Sequence, residues 1–344
     1  MKKLYFVILL LIISTLPSLC CTSIIVTKEK SGIGRPVMLK HRDTSVPDSK
    51  IEMFHGEHYD FIGLVNSSWR SRPVAKNTNG IPEVWCGMNT HGFCLMNTAS
   101  YNIKDDNIPS SAMDREGLVI FRALGICATI EDFENFIDTL SRPMGIEGNF
   151  GVIDAKGGAA YYEINNYKSV KYDVYDEPCG YMVVTNFSRS GREKDRRGVD
   201  RYEKASEIFA GMSVFDHSTI INRISRSGSP IMRDISMSSV VFEGAAEKCG
   251  EAVMWTCLGY PDSVPYIPLM MSEDIPSFMT AEGDGNAPIC DVAKKVKASG
   301  LKVNKLIRFL ECRVDVKFYM DYKAITESVY SKYCAAVEFF AKNH

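Results

Sequence analysis

Cys21 is the residue whose position could do chemistry. Ahead of it stand Lys2-Lys3, an unbroken apolar run from Leu4 to Ile13, and the exit Ser14-Thr15-Leu16-Pro17-Ser18-Leu19-Cys20. A short cationic segment, an apolar core and a small-residue exit are the parts of a secretory signal. Reading the small-x-small rule on Ser18-Leu19-Cys20 puts the cut between Cys20 and Cys21, which leaves residues 1–20 as the signal. Cys21 would then carry a free α-amine. A thiol reacts as thiolate, and ordinary cysteine titrates near about 8.5. An α-amine titrates near about 7.7–8.0, so much of it is neutral at mildly alkaline pH. Nucleophile and base can share one residue, as with N-terminal threonine nucleophiles. None of the six histidines is required.

Two plainer readings of the leader compete. A lipidated cysteine follows a small residue, and Leu19 before Cys20 fits that poorly, as does Cys20 before Cys21. If the cut falls elsewhere, Cys21 is only a strand residue. The run Leu4–Ile13 is too short to span a bilayer, which takes roughly 20 apolar residues. The expectation is an exported protein, periplasmic or secreted, with no stable membrane span in its mature form.

The elements around Cys21 must aim it. Residues 21–27, Cys-Thr-Ser-Ile-Ile-Val-Thr, are rich in β-branched residues and read as a strand. Ser31-Gly32-Ile33-Gly34 signals a turn, and Pro36 to His41 reads as the return strand. A hairpin pivoting near Gly32 sets Cys21 against a residue near position 43. Antiparallel partners lie about 4.5–5.5 Å apart, so Asp43 is expected beside Cys21, where a carboxylate could hold the ammonium form. The plainer reading of Asp43 is a solvated acid after a strand.

These residues resemble a known family. Cys21-Thr22-Ser23, then Gly34-Arg35-Pro36 and Lys40-His41-Arg42-Asp43-Thr44, resemble the N-terminal-nucleophile hydrolases of the choloylglycine hydrolase, penicillin V acylase and isopenicillin N acyltransferase group. Gly87-Met88-Asn89-Thr90-His91-Gly92-Phe93 is similar to that group's GMNxxG segment, with Asn97 on the following strand. Gly148 to Ala155, Tyr161-Tyr162-Glu163, Val184-Thr185-Asn186-Phe187, Ser238 to Phe242 and Pro265 to Leu269 resemble its later strands, so the likeness covers most of residues 21–275. It implies an α+β fold, a four-layer αββα sandwich of two antiparallel sheets, that cleaves or transfers linear non-peptide amides without a cofactor or metal. Residue by residue it makes Cys21 the nucleophile and Asp43 the aspartate that steadies it. Asn186, with Asn97 beside it, becomes the donor to the tetrahedral intermediate. Such neutral donors are worth about 2.7–4 kcal/mol each in comparable sites.

Two departures bear on the substrate. Bile-salt and penicillin V enzymes carry arginine three residues before the aspartate, where this chain has Lys40, with Arg42 adjacent. Lysine and arginine are not equivalent as carboxylate binders. The group's SRxxR segment has no clear match near Ser236 to Phe242. Lys40 and Arg42 become the candidate substrate-binding residues, and conjugated bile salt becomes a poor candidate substrate. The departures lean toward the acyltransferase-like branch.

The remaining chain sets bounds. At 344 residues with 45% hydrophobic content it can bury a large core, and a net charge of −2 provides no basic field for nucleic acid. Strands are expected from Glu83 to Tyr101 and from Asn149 to Asn186. Helices are expected at Arg115–Ala128, Thr129–Leu140 (Thr129 an N-cap with Asp132 three residues on), Arg201–Met212, Ser218–Ile224 and Val316–Lys342, the last broken once. Sheets and helices without βα alternation argue for α+β layers in one domain, residues 21–344, with 276–344 a candidate C-terminal appendage. His55-Gly56-Glu57-His58 lacks metal-site spacing and reads as an exposed loop. Glu282-Gly283-Asp284-Gly285-Asn286 lacks the ligand spacing of a calcium loop and reads as a turn. The basic stretch from Arg189 to Lys204 is interleaved with acids and reads as a solvated loop and helix start near the mouth of the site. Eleven cysteines without CxxC spacing argue against structural zinc, and most read as small buried residues.

The reading that joins these pieces is an exported cysteine amidase hydrolysing a small-molecule N-acyl amide through a thioester. An acyltransferase, a dipeptidase of a related Cys-Thr-starting group, and a non-catalytic binding protein on the same scaffold are the alternatives, with oligomeric state left open.

Overall fold

A computed structural model describes residues 21–70, 80–104, 107–245, 251–317 and 321–343. The expected signal, residues 1–20, lies outside them, as does Cys249.

Two antiparallel sheets pack face to face. The first runs β10 (Tyr181–Val184), β1 (Cys21–Val26), β2 (Val37–Asp43), β11 (Ser236–Glu243), β12 (Val253–Leu258), β13 (Ile267–Leu269). The second runs in chain order from β3 (Ser49–Phe54) through β4 (Phe61–Asn66), β5 (Val84–Asn89), β6 (Cys94–Ala99), β7 (Gly148–Ile153) and β8 (Ala159–Ile164) to β9 (Ser169–Asp173). Every residue of β2 is buried because both of its faces are covered. Between the sheets β1 touches β6 and β8, and β2 touches β7. Ser23 Oγ and Tyr161 Oη share a hydrogen bond of 2.6 Å across that gap. Gly151 on β7 is what allows the close approach. A Cβ there would lie 3.2 Å from Ile25 Cδ1 and 3.1 Å from the Tyr161 ring, and it would collide with the Met96 methyl.

Helices complete the outer layers. After the short turn α1 (Lys28–Ser31), α2 (Glu116–Ile126) lies on β4, β5 and β6, with α3 (Ile130–Thr139) against it. The Thr129 hydroxyl accepts from Asp132 N while the Asp132 carboxylate accepts from Thr129 N, so the expected cap is a full capping box. On the other side α4 (Val199–Ala210) packs on β10 and α5 (His217–Ile220) on β11. There α6 (Pro288–Ser299) packs on β12, α7 (Asn304–Lys317) on β13, and α8 (Tyr322–Asn343) against α6 and α7. The order helix, sheet, sheet, helix is the four-layer sandwich expected from the sequence.

The C-terminal region carries more helix than the once-broken Val316–Lys342 stretch expected from the sequence. Its helical residues begin at Pro288, and the anchors buried among the described side chains stand amid charged neighbours: Ile289, Cys290, Ala293 and Val296 in α6, Ile307, Leu310 and Val314 in α7. Tyr322 Oη donates to Pro268 O of β13 at 3.0 Å, fastening α8 to the sheet edge. No helix among the described residues is long and apolar enough to cross a membrane.

Candidate functional site

Cys21 begins β1 on the inner side of the first sheet, at the floor of a cleft of about 670 Å³. That volume lies in the range that takes a small molecule, roughly 300–1,000 Å³. Lys40, Arg42, Asn97 and Trp85 line the same cleft, with Glu116 and Glu147 also on its wall.

The hairpin register corrects one expectation. Cys21 stands opposite Arg42 rather than Asp43, because the chain pivots between Ser31 and Gly32, with Gly32 in the left-handed region at φ 80°. Directly opposed antiparallel residues share a face, and alternation puts the next residue on the other. Lys40 and Arg42 therefore flank Cys21 on the inner face, whereas Asp43, though it borders the cleft, sends its carboxylate to other partners. The Asp43 carboxylate is 2% exposed and accepts from Arg233 Nε at 3.0 Å, from Arg233 Nη2 at 2.5 Å and from Ser236 Oγ at 2.6 Å. No hydrogen bond joins it to Cys21. His41, on the same outer face, pairs with Ser236 Oγ at 2.9 Å, and burial, partly opposed by Asp43, pulls its pKa down.

Asn186 takes the place expected of Asp43. Its Oδ1 accepts from Cys21 N at 2.7 Å, a nitrogen that is an amide in the uncut chain and an amine if the chain starts at Cys21. Its Nδ2 donates to Ala99 O at 2.8 Å. The loop carrying Asn186 is braced by Asn149, whose Nδ2 donates to Thr185 O at 3.3 Å and Phe187 O at 3.2 Å, the carbonyls on either side of Asn186. Ser188 Oγ returns a bond to Asn149 Oδ1 at 2.5 Å.

Arg201 was read as part of a solvated stretch and is instead 1% exposed. Its guanidinium donates to Cys21 O, to Thr22 Oγ1 at 3.1 Å and to Asn186 Oδ1 at 2.8 Å. No carboxylate pairs with it among the described residues. The physical reason is helical period: Arg201, Ala205 and Phe209 are the buried stripe of α4, so this charge lies on the apolar face and points at the start of β1. A charged residue at i of an i, i+4, i+8 stripe was the signal available in the sequence. The rest of the stretch behaves as expected, with exposed pairs such as Arg192–Asp195 at 2.7 Å and Arg196–Glu193 at 2.9 Å.

Arg42 is 6% exposed, donates to Asn66 Oδ1 at 2.9 Å and lies with its guanidinium carbon 5.0 Å from the Trp85 ring centre. Lys40 is 2% exposed and its ammonium donates to Asn97 O and Asn97 Oδ1, both at 2.7 Å. Burial lowers the Lys40 pKa, with Cys21 and Cys86 opposing the fall. Glu116 accepts from Glu147 N at 2.9 Å. Desolvation, with Asp114 and Glu147 close by, pushes its carboxyl up to about 7.

The other singled-out segments carry no chemistry. His55 and His58 are exposed, and His55 Nδ1 meets Asp60 at 3.1 Å. The Glu282–Asn286 turn takes the Lys50 ammonium, whose Nζ donates to Gly283 O at 2.5 Å. No group of three His, Cys, Asp or Glu side chains among the described residues is arranged to hold a metal ion. All nine described cysteines are free. Burial pushes the Cys86 thiol up to about 12 and the Cys290 thiol to about 11, so neither is a thiolate at neutral pH.

No family model matches the chain, and no curated protein matches it. Among solved structures it is similar to a Caenorhabditis elegans N-acylethanolamine-hydrolyzing acid amidase ortholog at 16% identity and TM-score 0.48, over 65% of this chain and 92% of that one. It is similar to conjugated bile acid hydrolase from Clostridium perfringens at 12% identity and TM-score 0.45, over 77% of this chain and 94% of that one. Penicillin V acylase from Agrobacterium tumefaciens aligns at 14% identity and TM-score 0.43, over 74% of this chain and 87% of that one. Bile-salt and penicillin V enzymes, which the sequence resemblance named, are thus among the structures this chain is similar to.

Proposed function

We propose that the chain is an exported N-terminal cysteine amidase that hydrolyses a linear N-acyl amide through a thioester. The observation that carries the reading is the start of β1. Cys21 lines a cleft of about 670 Å³, and its nitrogen and carbonyl are held by Asn186 and Arg201. Such anchoring of a strand end has a chemical use if residue 21 is the first residue of the working protein.

In this reading the free amine of Cys21 takes the thiol proton, directly or through one water, and Sγ attacks the amide carbonyl carbon. In this reading Asn97 is the amide donor to the developing oxyanion, because the Asn186 Nδ2 expected in that role is already bonded to Ala99 O. As the C–N bond breaks, the ammonium returns its proton to the departing amine. Water then attacks the thioester, its proton going to the Cys21 amine and on to the thiolate, which releases the acid. The uncut chain is inert because an amide nitrogen cannot act as base. Arg42, stacked on Trp85 in the same cleft, is suited to an anionic group on the substrate.

The experiment has two readouts. N-terminal sequencing of the exported protein is expected to begin at Cys21. Intact-mass analysis after incubation with N-acyl amino acids, β-lactams and bile conjugates is expected to show an acyl adduct that maps to Cys21. A mature protein starting elsewhere, or acyl turnover that survives Cys21→Ala, sinks the proposal.

A further inference from the structure

Lys40 is a buried cation that lines the cleft, and its ammonium is held by a second residue that lines it. It crosses from β2 of one sheet to β6 of the other and spends two of its three hydrogens on a single residue, Asn97, through the backbone O and the side-chain Oδ1. A carboxamide has one acceptor end and one donor end. With Oδ1 occupied by Lys40, the Nδ2 end is left for the cleft that Asn97 lines, and no acceptor meets Nδ2 among the described residues. Asn97 is itself 6% exposed, so the small part of it that is open faces the cleft.

We propose that Lys40 is a positioning residue: it selects which end of the Asn97 amide faces Cys21, so that two N–H donors and not a carbonyl oxygen meet the oxyanion. The inference rests on the reading of Cys21 as the acyl-accepting nucleophile. The terminal torsion of asparagine is broad and roughly two-fold, so an unheld amide can present either end. The wrong end would place a lone pair against the developing negative charge. Orienting an amide requires a donor that grips Oδ1, and the second bond to the Asn97 carbonyl fixes the ammonium against the backbone that carries that amide. The charged or titratable groups facing Lys40 are Cys21 on β1, Arg42 on its own strand and Cys86 on β5. Its charge must also favour the Cys21 thiolate, and the test has to separate the two effects.

Two probes do so in the full-length processed protein. p-Nitrophenyl butyrate acylates Cys21 through a tetrahedral intermediate and needs the oxyanion donors. Iodoacetamide alkylates the same thiolate by displacement at a saturated carbon and does not. Both rates are read on the Cys21 peptide by mass spectrometry. Lys40→Met is expected to slow acylation by about 10²-fold or more, the effect of losing one such donor. Alkylation should fall by a smaller factor than acylation, about tenfold for each pH unit by which the thiol rises when one nearby charge is lost. Lys40→Arg, which keeps donors for both Asn97 oxygens, is expected to recover most of the acylation. In an Asn97→Ala background Lys40→Met should cost acylation no more than it costs alkylation. Equal losses with the two probes, or a full acylation loss that persists in the Asn97→Ala background, overturns the inference. If Lys40→Met does not fold, Asn97→Asp carries the test, because it keeps both acceptors for Lys40 and replaces only the donor end. Its acylation should collapse while alkylation persists, and wild-type acylation there overturns the inference. A wild-type protein whose Cys21 takes no butyryl group overturns the nucleophile reading, and this inference with it.

Discussion

Arg201→Met separates what stabilises the fold from what orders the site. The guanidinium makes three bonds, to Cys21 O, Thr22 Oγ1 and Asn186 Oδ1. Hydrogen bonds to charged groups contribute about 1.5–3 kcal/mol each, so the three together are worth about 4–9 kcal/mol. Against that stands the burial of a guanidinium to 1% exposure with no carboxylate partner among the described residues, which costs several kcal/mol. Methionine removes both terms and fills much of the same volume. The net loss of stability is expected to be about 1–3 kcal/mol, the range of an ordinary core substitution. The effect on the site is not offset in this way. Cys21 loses its carbonyl anchor and Asn186 loses one of two donors on Oδ1, and misplacing a reacting group by about 1 Å can cost 10²-fold. Equilibrium urea unfolding measures the first quantity, and acylation of Cys21 by p-nitrophenyl butyrate the second. A variant that acylates within about twofold of wild type while losing more than about 5 kcal/mol would show that Arg201 is a strut, and would refute the argument.

Three further outcomes follow from the same geometry. Asn186→Asp puts a carboxylate 2.7 Å from the Cys21 nitrogen. In the processed protein this favours the ammonium, so the acidic limb of the acylation profile should move up by about 1–3 pH units, and an unmoved limb would remove the α-amine from the role of base. Gly198 has φ +76° and its added Cβ would collide with the Arg201 guanidinium, whereas Gly300 has φ +67° and open space. Gly198→Ala should therefore cost acylation as well as stability, while Gly300→Ala costs only the left-handed strain of about 1–2 kcal/mol; equal effects on acylation would contradict the steric account. Glu116 has its pKa raised to about 7, so its contribution to stability is full below the ordinary glutamate range, near 4.5, and is lost as pH rises through about 7. The stability of Glu116→Gln relative to wild type, read from urea midpoints, should rise over that window and level off above it, and a flat difference would contradict the raised pKa.

Much of this protein is legible along the chain because its signals are local. Strand β1 follows from the β-branched run after Cys21, and the α3 cap from Thr129 and Asp132. The turn character of Glu282–Asn286 follows from two glycines among acids. The α+β character follows from strands and helices that do not alternate, and the αββα order from the family resemblance. Cys21, Asn97 and Asn186 are likewise visible as residue types at family-like spacing, and the structure brings all three to one cleft or its immediate wall. The C-terminal helices were only partly visible, since Ile307, Leu310 and Val314 are a thin stripe among charges.

What the sequence alone determined is therefore the list of candidate residues and the layers that carry them. Which parts meet was decided only by tertiary structure. A one-residue difference in hairpin register exchanges every side chain between the two faces of a strand. Here it sets Arg42 opposite Cys21 and sends the Asp43 carboxylate to Arg233 and Ser236. The partner of the Cys21 nitrogen lies 165 residues away at Asn186, and the grip on Asn97 comes from a lysine 57 residues before it on the facing sheet. No periodicity along the chain encodes such contacts, because they arise where two sheets and a helix end converge.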